Sequence, residues 1–380
     1  MRLAKLSLAA IVAAGAMTTF ASAAPLEEAI KGVDLTGLMR YRVDMHDYDD
    51  SSSTDQHRFS GVFTFTAPIA DNVKSVLTLR YNTPSDARDA SSLGTDEENL
   101  AVSQAYFQYA VANYSVQAGK MQLATPWTEN AWDGDFANGV MAYYTGVEGW
   151  TFAGAAFVNN TLGERLGAVV GDIGKQNLYA AAAIGSMGPV DAQFWVSKME
   201  HVFDYSAFLE LSTKMAGFSL KGQVNQLKLA DETKAALNNP EDDKGLFWAV
   251  QAGYEIEGFN VAAGYIKNDK DQPIHTLSAD GQHIIAGQNL YGDTTNLADA
   301  ETYFAKAGYA FGDYSVGAGY SKAEQGSNDF GREVYVEAGY DYSKNFSLYS
   351  YYSDMDIKDA FTTTTVKDNK QIRFQATYSF

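Results

Sequence analysis

The sequence predicts an all-β protein: a transmembrane antiparallel β-barrel of about eighteen strands, with short periplasmic turns and long extracellular loops. Three observations predict it. Apolar and polar residues alternate with a period of two in stretch after stretch, the pattern of a strand with two different faces. Beyond residue 23 no segment approaches the roughly twenty apolar residues of a membrane helix. Composition agrees, with 24 Tyr, 21 Phe and 33 Gly but only 7 Pro among 380 residues, a mix suited to many strands and tight turns. The last ten residues, QIRFQATYSF, show the alternation cleanly. Ile372, Phe374, Ala376, Tyr378 and Phe380 share one face, and Gln371, Arg373, Gln375, Thr377 and Ser379 the other.

The N-terminus predicts the compartment. Arg2 and Lys5 precede the apolar run Leu6–Ala16, and Ala21-Ser22-Ala23 supplies a small-x-small site. This is the pattern of a secretory signal peptide cut after Ala23, leaving 24–380 as one barrel domain. A membrane anchor is the alternative, but the apolar core is too short to span. Cleavage removes two positive charges and no negative ones. The mature chain then carries 26 basic and 47 acidic residues, a formal charge of −21. So acidic a chain is a poor nucleic-acid binder. With no cysteine, disulfides, thiolate metal ligands and thiol nucleophiles are excluded.

Alternation places strands at 33–43, 57–67, 73–82, 99–110, 114–122, 139–145, 150–159, 177–185, 190–199, 204–214, 218–228, 244–255, 259–268, 301–310, 314–322, 332–342, 346–354 and 370–380. Connections alternate between short turns and mostly longer polar loops, with 200–203 the exception. All seven prolines fall outside these strands, as expected of residues that cannot donate to a ladder. The segments AGYEIEGFNVAAGY (252–265) and AGYAFGDYSVGAGY (307–320) repeat one hairpin plan, followed loosely by AGYDYSKNFSLYSYY (338–352). Their tyrosines fall beside the short turns, as an aromatic girdle at a membrane interface would. A soluble sandwich or propeller would also alternate, but its two sets of loops would have no reason to differ. A barrel must close in lipid, so the last strand should pair with the first.

The segments KLSLAAIVAAGA, APLEEAIKGVDLTGLMRYRVD and GKMQLATPWTEN resemble the major outer membrane protein of Campylobacter and related epsilonproteobacteria. The resemblance is strong over about the first 45 residues, returns at Gly119–Asn130 and is general elsewhere. It implies an eighteen-stranded homotrimeric porin in outer-membrane lipid and lipopolysaccharide. It further implies passive diffusion of small hydrophilic solutes and ions, a leaning toward cations, and a calcium ion near the constriction. The terminal Phe380, with Tyr378, resembles the signal read by the barrel assembly machinery of Gram-negative bacteria.

The third long loop, 123–138, is expected to fold inward as the constriction. It carries Glu129, Asp133 and Asp135 beside Pro126, Trp127 and Trp132. The alternative is a solvated acidic surface loop, for which two tryptophans would be an odd choice. Parity places Arg40, Arg42, Arg58, Lys74, Arg80 and Arg373 on the lumen face of strands 18, 1, 2 and 3, one continuous wall. Strand rise and tilt put the arginines about 17–23 Å above the periplasmic rim. A cationic wall facing acidic loop carboxylates would set a transverse field and an ion preference. Alternatively, each Arg pairs with a nearby carboxylate such as Asp34 or Asp44.

Other acids gather in the first loop (Asp44, Asp47, Asp49, Asp50, Asp55) and the sixth (Asp231, Glu232, Glu241, Asp242, Asp243). They suit Ca²⁺ or Mg²⁺ if several converge, but their spacing matches no EF-hand. The seventh loop, 267–300, could cover the entrance or grip a neighbouring subunit. An enzyme is not expected, because His46, His57, His201, His275 and His283 fall in loops or at strand ends without a surrounding motif. A substrate-specific channel or a surface adhesin on the same barrel is the alternative function. Lys120 shares parity with lipid-facing Val116 and Ala118, which leaves a site above the bilayer, a subunit interface or a bulge.

Overall fold

The chain closes on itself at its two ends. In the computed structural model the last strand lies antiparallel to the first, from Leu38 opposite Ser379 to Tyr48 opposite Asn369. The Gly37 and Phe380 amides donate to each other's carbonyls at 2.9 and 3.0 Å. The structure describes residues 32–48, 53–82, 100–132, 134–162, 173–237, 243–274, 281–290, 297–358 and 368–380. The signal peptide, Asp133, His275 and several acids of the first and sixth loops lie outside them.

The strands are β1 (Asp34–Tyr48), β2 (Thr54–Ala70), β3 (Val73–Asn82), β4 (Leu100–Val111), β5 (Tyr114–Gln122) and β6 (Phe136–Val147). Next come β7 (Trp150–Asn160), β8 (Leu178–Met187), β9 (Val190–Met199), β10 (Phe203–Met215), β11 (Phe218–Leu229) and β12 (Lys244–Ile256). The last six are β13 (Phe259–Asn268), β14 (Ala300–Phe311), β15 (Tyr314–Gln325), β16 (Asn328–Ser343), β17 (Phe346–Ile357) and β18 (Asp368–Ser379). Each pairs with its sequence neighbours in one closed antiparallel sheet. A short helix, α1 (Asp231–Ala236), lies in the sixth loop. Beside it His201 bonds Glu232 at 2.8 Å, a contact that pulls the Glu232 carboxyl below its ordinary range.

The predicted strands are all present, and most differences are extensions on the long-loop side. Two expectations need correction. Pro68 lies inside β2, not outside it. The ladder tolerates it because the register slips between Pro68 and Ala70 next to the turn, a bulge at which the missing N–H is not needed. The connection after β15 is also no long loop. β15 and β16 extend to a two-residue turn, Gly326-Ser327, with Gly326 at φ +58°, the left-handed conformation that glycine adopts without Cβ strain.

Every connection on one rim is a short turn. Ala216-Gly217 and Glu257-Gly258 both have two consecutive positive φ angles, the geometry whose twist matches flanking antiparallel strands. The turns are tied sideways: Glu255 donates to the Gly217 carbonyl and Ala310 to that of Gly258, both at 2.9 Å. Along this rim the rings of Tyr309, Phe311, Tyr314 and Tyr340 stack in sequence at 4.6–5.7 Å. Tyr378, Phe380 and Phe63 continue the belt across the seam. These rings form the expected girdle.

The faces are inverted relative to a soluble protein. Leu209, Leu211, Leu220 and Val224 point outward and are exposed, while Ser206, Gln223, Asn225, Thr302, Ser321 and Ser353 point inward and are buried. An apolar outer surface of this extent suits hydrocarbon, not water.

Gly37 marks a point where the closure leaves no space. A Cβ there would lie 2.1 Å from the Val62 carbonyl oxygen and 2.9 Å from the Phe380 ring. Gly37→Val should therefore strain the seam by about 1–3 kcal/mol. A lower unfolding temperature of the heat-modifiable band on gels is the expected readout, with Gly154→Ala, in open space, as the neutral control.

Candidate functional site

The lumen is crossed by the loop that follows β5. Its base is zipped by the Leu123 amide donating to the Asp135 carbonyl at 2.8 Å and the Glu129 amide to the Asp135 carboxylate at 3.0 Å. Thr128 fixes the bend after Pro126. Its hydroxyl donates to the Leu123 carbonyl at 2.8 Å and accepts from the Thr125 amide at 3.0 Å. The bend drives Trp127 against the far wall, where the indole Nε1 donates to Asn225 Oδ1 of β11 at 3.0 Å. Its ring meets Trp195 of β9 edge-on at 6.5 Å. Five residues later Trp132 lies under the Arg40 guanidinium of β1, 4.6 Å from the ring centre. One loop thus spans the interior between nearly opposite walls.

The wall under this loop is built to receive it. Ala153, Ala155, Ala180 and Ala182 face inward from β7 and β8 and, with Met141, Phe157 and Trp195, line the space beneath Leu123. Leu123, Trp127, Phe157, Leu178, Trp195 and Phe208 belong to one buried apolar cluster. Small side chains leave room for the loop, and their apolar character favours its burial. The run Tyr-Ala-Ala-Ala-Ala-Ile at 179–184 is apolar on both faces, and that lost alternation is the sequence signal for the docking wall.

A second loop enters from the opposite side. Residues 281–290 of the seventh loop run inside the barrel. The Gln282 amide donates to the Pro126 carbonyl at 2.9 Å, joining the two loops. The Ile284 amide donates to Gln223 Oε1 at 2.6 Å. Ile284 and Ala286 pack with Phe247, Ile266 and Phe304, and Leu290 with Phe330 and Met355. Sequence reasoning left this loop undecided and did not identify Glu333 and Glu337, the β16 carboxylates that meet it.

The basic residues face the lumen as parity required, and the register sets their spacing. Arg42 stands opposite Arg58 across β1 and β2 and opposite Gln375 across β1 and β18. Its guanidinium donates to Gln375 Oε1 at 2.9 and 3.1 Å. Arg58 donates to Gln56. Arg373 pairs with the buried Asp44 carboxylate and lies 5.2 Å from the Tyr351 ring centre, so simple charge pairing accounts for this member. Arg80 sits over the Phe136 ring at 5.3 Å. Lys74 is separate from the band, opposite Pro68 beside the turn rim. Among the acids, Asp135 has a structural task in clasping the Glu129 amide. On the facing wall Glu210 pairs with Lys221 at 3.2 Å.

A bulge adjoins Lys120 on the neighbouring strand β4. The β3–β4 register shifts between Thr78 and Leu79, leaving Ser103 as the extra residue. The Lys120 ammonium donates to the neighbouring Val102 carbonyl at 2.7 Å. Histidines are engaged in packing and side-chain contacts: His57 with the Tyr41 hydroxyl at 2.7 Å, His46 with Asn369 at 3.2 Å, and His283 edge-on between Phe208 and Phe247.

The whole sequence, residues 1–380, matches the family model of the Campylobacter major outer membrane protein. The chain belongs to this family. Comparison with curated proteins gave no match. Among solved structures the fold is similar to Acinetobacter baumannii OccAB3, with a TM-score of 0.72 at 11% identity, covering 92% of this chain and 99% of that one. It is also similar to A. baumannii OccAB1, with a TM-score of 0.71 at 12% identity over 92% and 96% of the two chains. Pseudomonas aeruginosa OpdK, solved with vanillate, follows at 0.67 and 12%, over 92% and 99%. Family and fold together make this chain an outer-membrane porin.

Docking of the crossing loop should depend on Trp127. Truncation to Ala removes a buried aromatic and its bond to Asn225, a loss of about 3–5 kcal/mol. The expected result is a barrel that still assembles but whose loop is cut faster by added protease, with a larger and noisier single-channel current.

Proposed function

We propose that the barrel is a general diffusion porin for small hydrophilic solutes and ions, with a preference for cations. The observation that carries this reading is the segregation of charge in the lumen. Arg40, Arg42, Arg58 and Arg80 share one wall, beside the paired Arg373, while Glu129 and Asp135 lie on the crossing loop. Opposed charges across a narrow water column order the water and orient dipolar solutes. The cation preference rests on the mature charge of −21 and on acidic loops at the outer mouth, which repel multivalent anions. The basic band moderates that preference without reversing it.

Several expectations join this reading. Asp133 lies between Glu129 and Asp135 in sequence and is proposed with them as a pore acid on the sequence alone. Cleavage after Ala23, insertion through the Phe380 and Tyr378 signal, and assembly as a homotrimer follow the pattern of the family. The calcium ion implied by the resemblance needs several converging oxygen ligands. Among the described residues no group of three or more Asp, Glu, His or Cys is placed to hold a metal, so no part of this reading passes through calcium. No enzymatic activity is proposed.

A substrate-specific channel is a second reading, favoured by one observation. The basic residues of β18, β1, β2 and β3 form a continuous track, and a neighbour of the same fold was solved with the carboxylate vanillate. Current block by a small carboxylate at low concentration would support it. Conductance that scales with bulk salt supports the diffusion porin.

Replacing Arg40, Arg42 and Arg80 together by Gln should raise cation over anion permeability. The reversal potential in a planar bilayer under a salt gradient should shift accordingly, and an unchanged potential would count against a role for the basic wall. Insertion of purified wild-type protein should give three equal conductance steps if it is a trimer.

A further inference from the structure

The stretch 287–290 of the seventh loop is fastened to the barrel wall by one carboxylate. Glu333 of β16 is fully buried. Its oxygens accept from three successive backbone amides, those of Gln288, Asn289 and Leu290, at 3.0–3.2 Å. The Ser353 hydroxyl of β17 donates to the same carboxylate at 2.5 Å, and Asn289 Nδ2 donates to that hydroxyl at 3.0 Å. Four residues along β16, Glu337 accepts from Gln288 Nε2 at 3.1 Å and from the Tyr349 hydroxyl at 2.6 Å. Gly287 is the approach point, where a Cβ would fall 2.0 Å from Glu333 Oε2.

A row of consecutive N–H groups around an anion is a strong hydrogen-bonding arrangement. Here the anion belongs to the barrel and the N–H groups to the loop. The apolar contacts of Leu290 and Ile284 are spread along the loop, whereas these charged contacts converge on one point. We propose that Glu333 is the positioning residue that pins the seventh loop inside the lumen and thereby sets the pore's cross-section together with the crossing loop. Glu337 orients Gln288 in support. Removing the pin leaves three backbone donors without their acceptor on the wall, and water in the lumen can take them over, so the loop withdraws while the barrel stays closed.

The inference rests on the reading of the lumen as a water pathway, and the test separates the two. Glu333→Gln keeps the shape but replaces one acceptor oxygen with a donor that faces backbone donors. Glu333→Ala removes both oxygens. Each variant, purified as a heat-modifiable barrel, should show a single-channel conductance raised by roughly 1.5-fold or more and should admit larger uncharged polymers, because a wider water column conducts more. The chain has no cysteine, so Asn289→Cys with Ser353→Cys gives a clean lock. In the Glu333→Ala background, oxidation should return the conductance toward wild type and reduction should raise it again, a reversal that a general loss of stability would not give.

Unchanged conductance and polymer exclusion in folded Glu333→Ala would overturn the inference. Should that variant fail to assemble, the cysteine pair is placed in the chain that retains Glu333. Near-complete crosslinking in intact cells then supports the lumen position of the loop, and failure to crosslink in a folded barrel overturns it. A wild-type protein that carries no current would overturn the porin reading, while the crosslinking result still decides the pin.

Discussion

Backbone hydrogen bonding in a solvent that offers no partners is the constraint on which the rest of this structure depends. Every N–H and C=O inside hydrocarbon needs a protein partner, and an antiparallel sheet supplies one only if it has no edge. The seam between β1 and β18 removes that edge. The mutual bonds of Gly37 and Phe380 carry it to the last residue, which is why the apolar alternation runs to the terminal ring. Gly37 lacks a side chain at the place where Val62 and the Phe380 ring close in from both directions. The lateral bonds between turns extend the same logic to the rim, where the sheet meets the interface.

Closure produces a wide ring, and a ring of eighteen strands encloses more space than its own wall side chains can fill. Two loops take up much of that space, and each docks by a different physical route. The loop after β5 docks largely by apolar burial, on a wall thinned to alanine, with one indole hydrogen bond for direction. The seventh loop combines modest apolar contacts with a buried carboxylate that gathers backbone amides. Their meeting at Pro126 and Gln282 makes a single partition across the interior. The basic band therefore faces a wall made of loops rather than an empty channel.

Sequence alternation made the strands legible because a transmembrane strand is held to one rule along its length: apolar outward, polar or small inward. That rule fails where its physical cause fails. The predicted β15 and β16 stop short because alternation ceases at the polar run Glu324–Asp329. Pro68 falls outside the predicted strand because a bulge cannot be recognised from one strand alone. Arg40, Arg42, Arg58, Arg80 and Arg373 share one parity across their four strands. Parity could not say that Arg373 is neutralised by Asp44 or that Arg40 lies on Trp132, since such contacts depend on register and on a loop arriving from another part of the chain.

What the sequence determined by itself was the identity of the two faces, the number of strands, the closing pair and the inward course of the first aromatic loop. The first three follow from local periodicity and from where proline and glycine fall, whereas the inward course of that loop is what the resemblance to porins implies, with Pro126 and two tryptophans in support. Only the tertiary structure decided which wall each loop meets, why Ala180–Ala183 loses its alternation and what Glu333 holds. Those matters turn on residues far apart in the chain whose side chains have no pattern in common, and only the curvature of the closed barrel brings them within hydrogen-bonding distance.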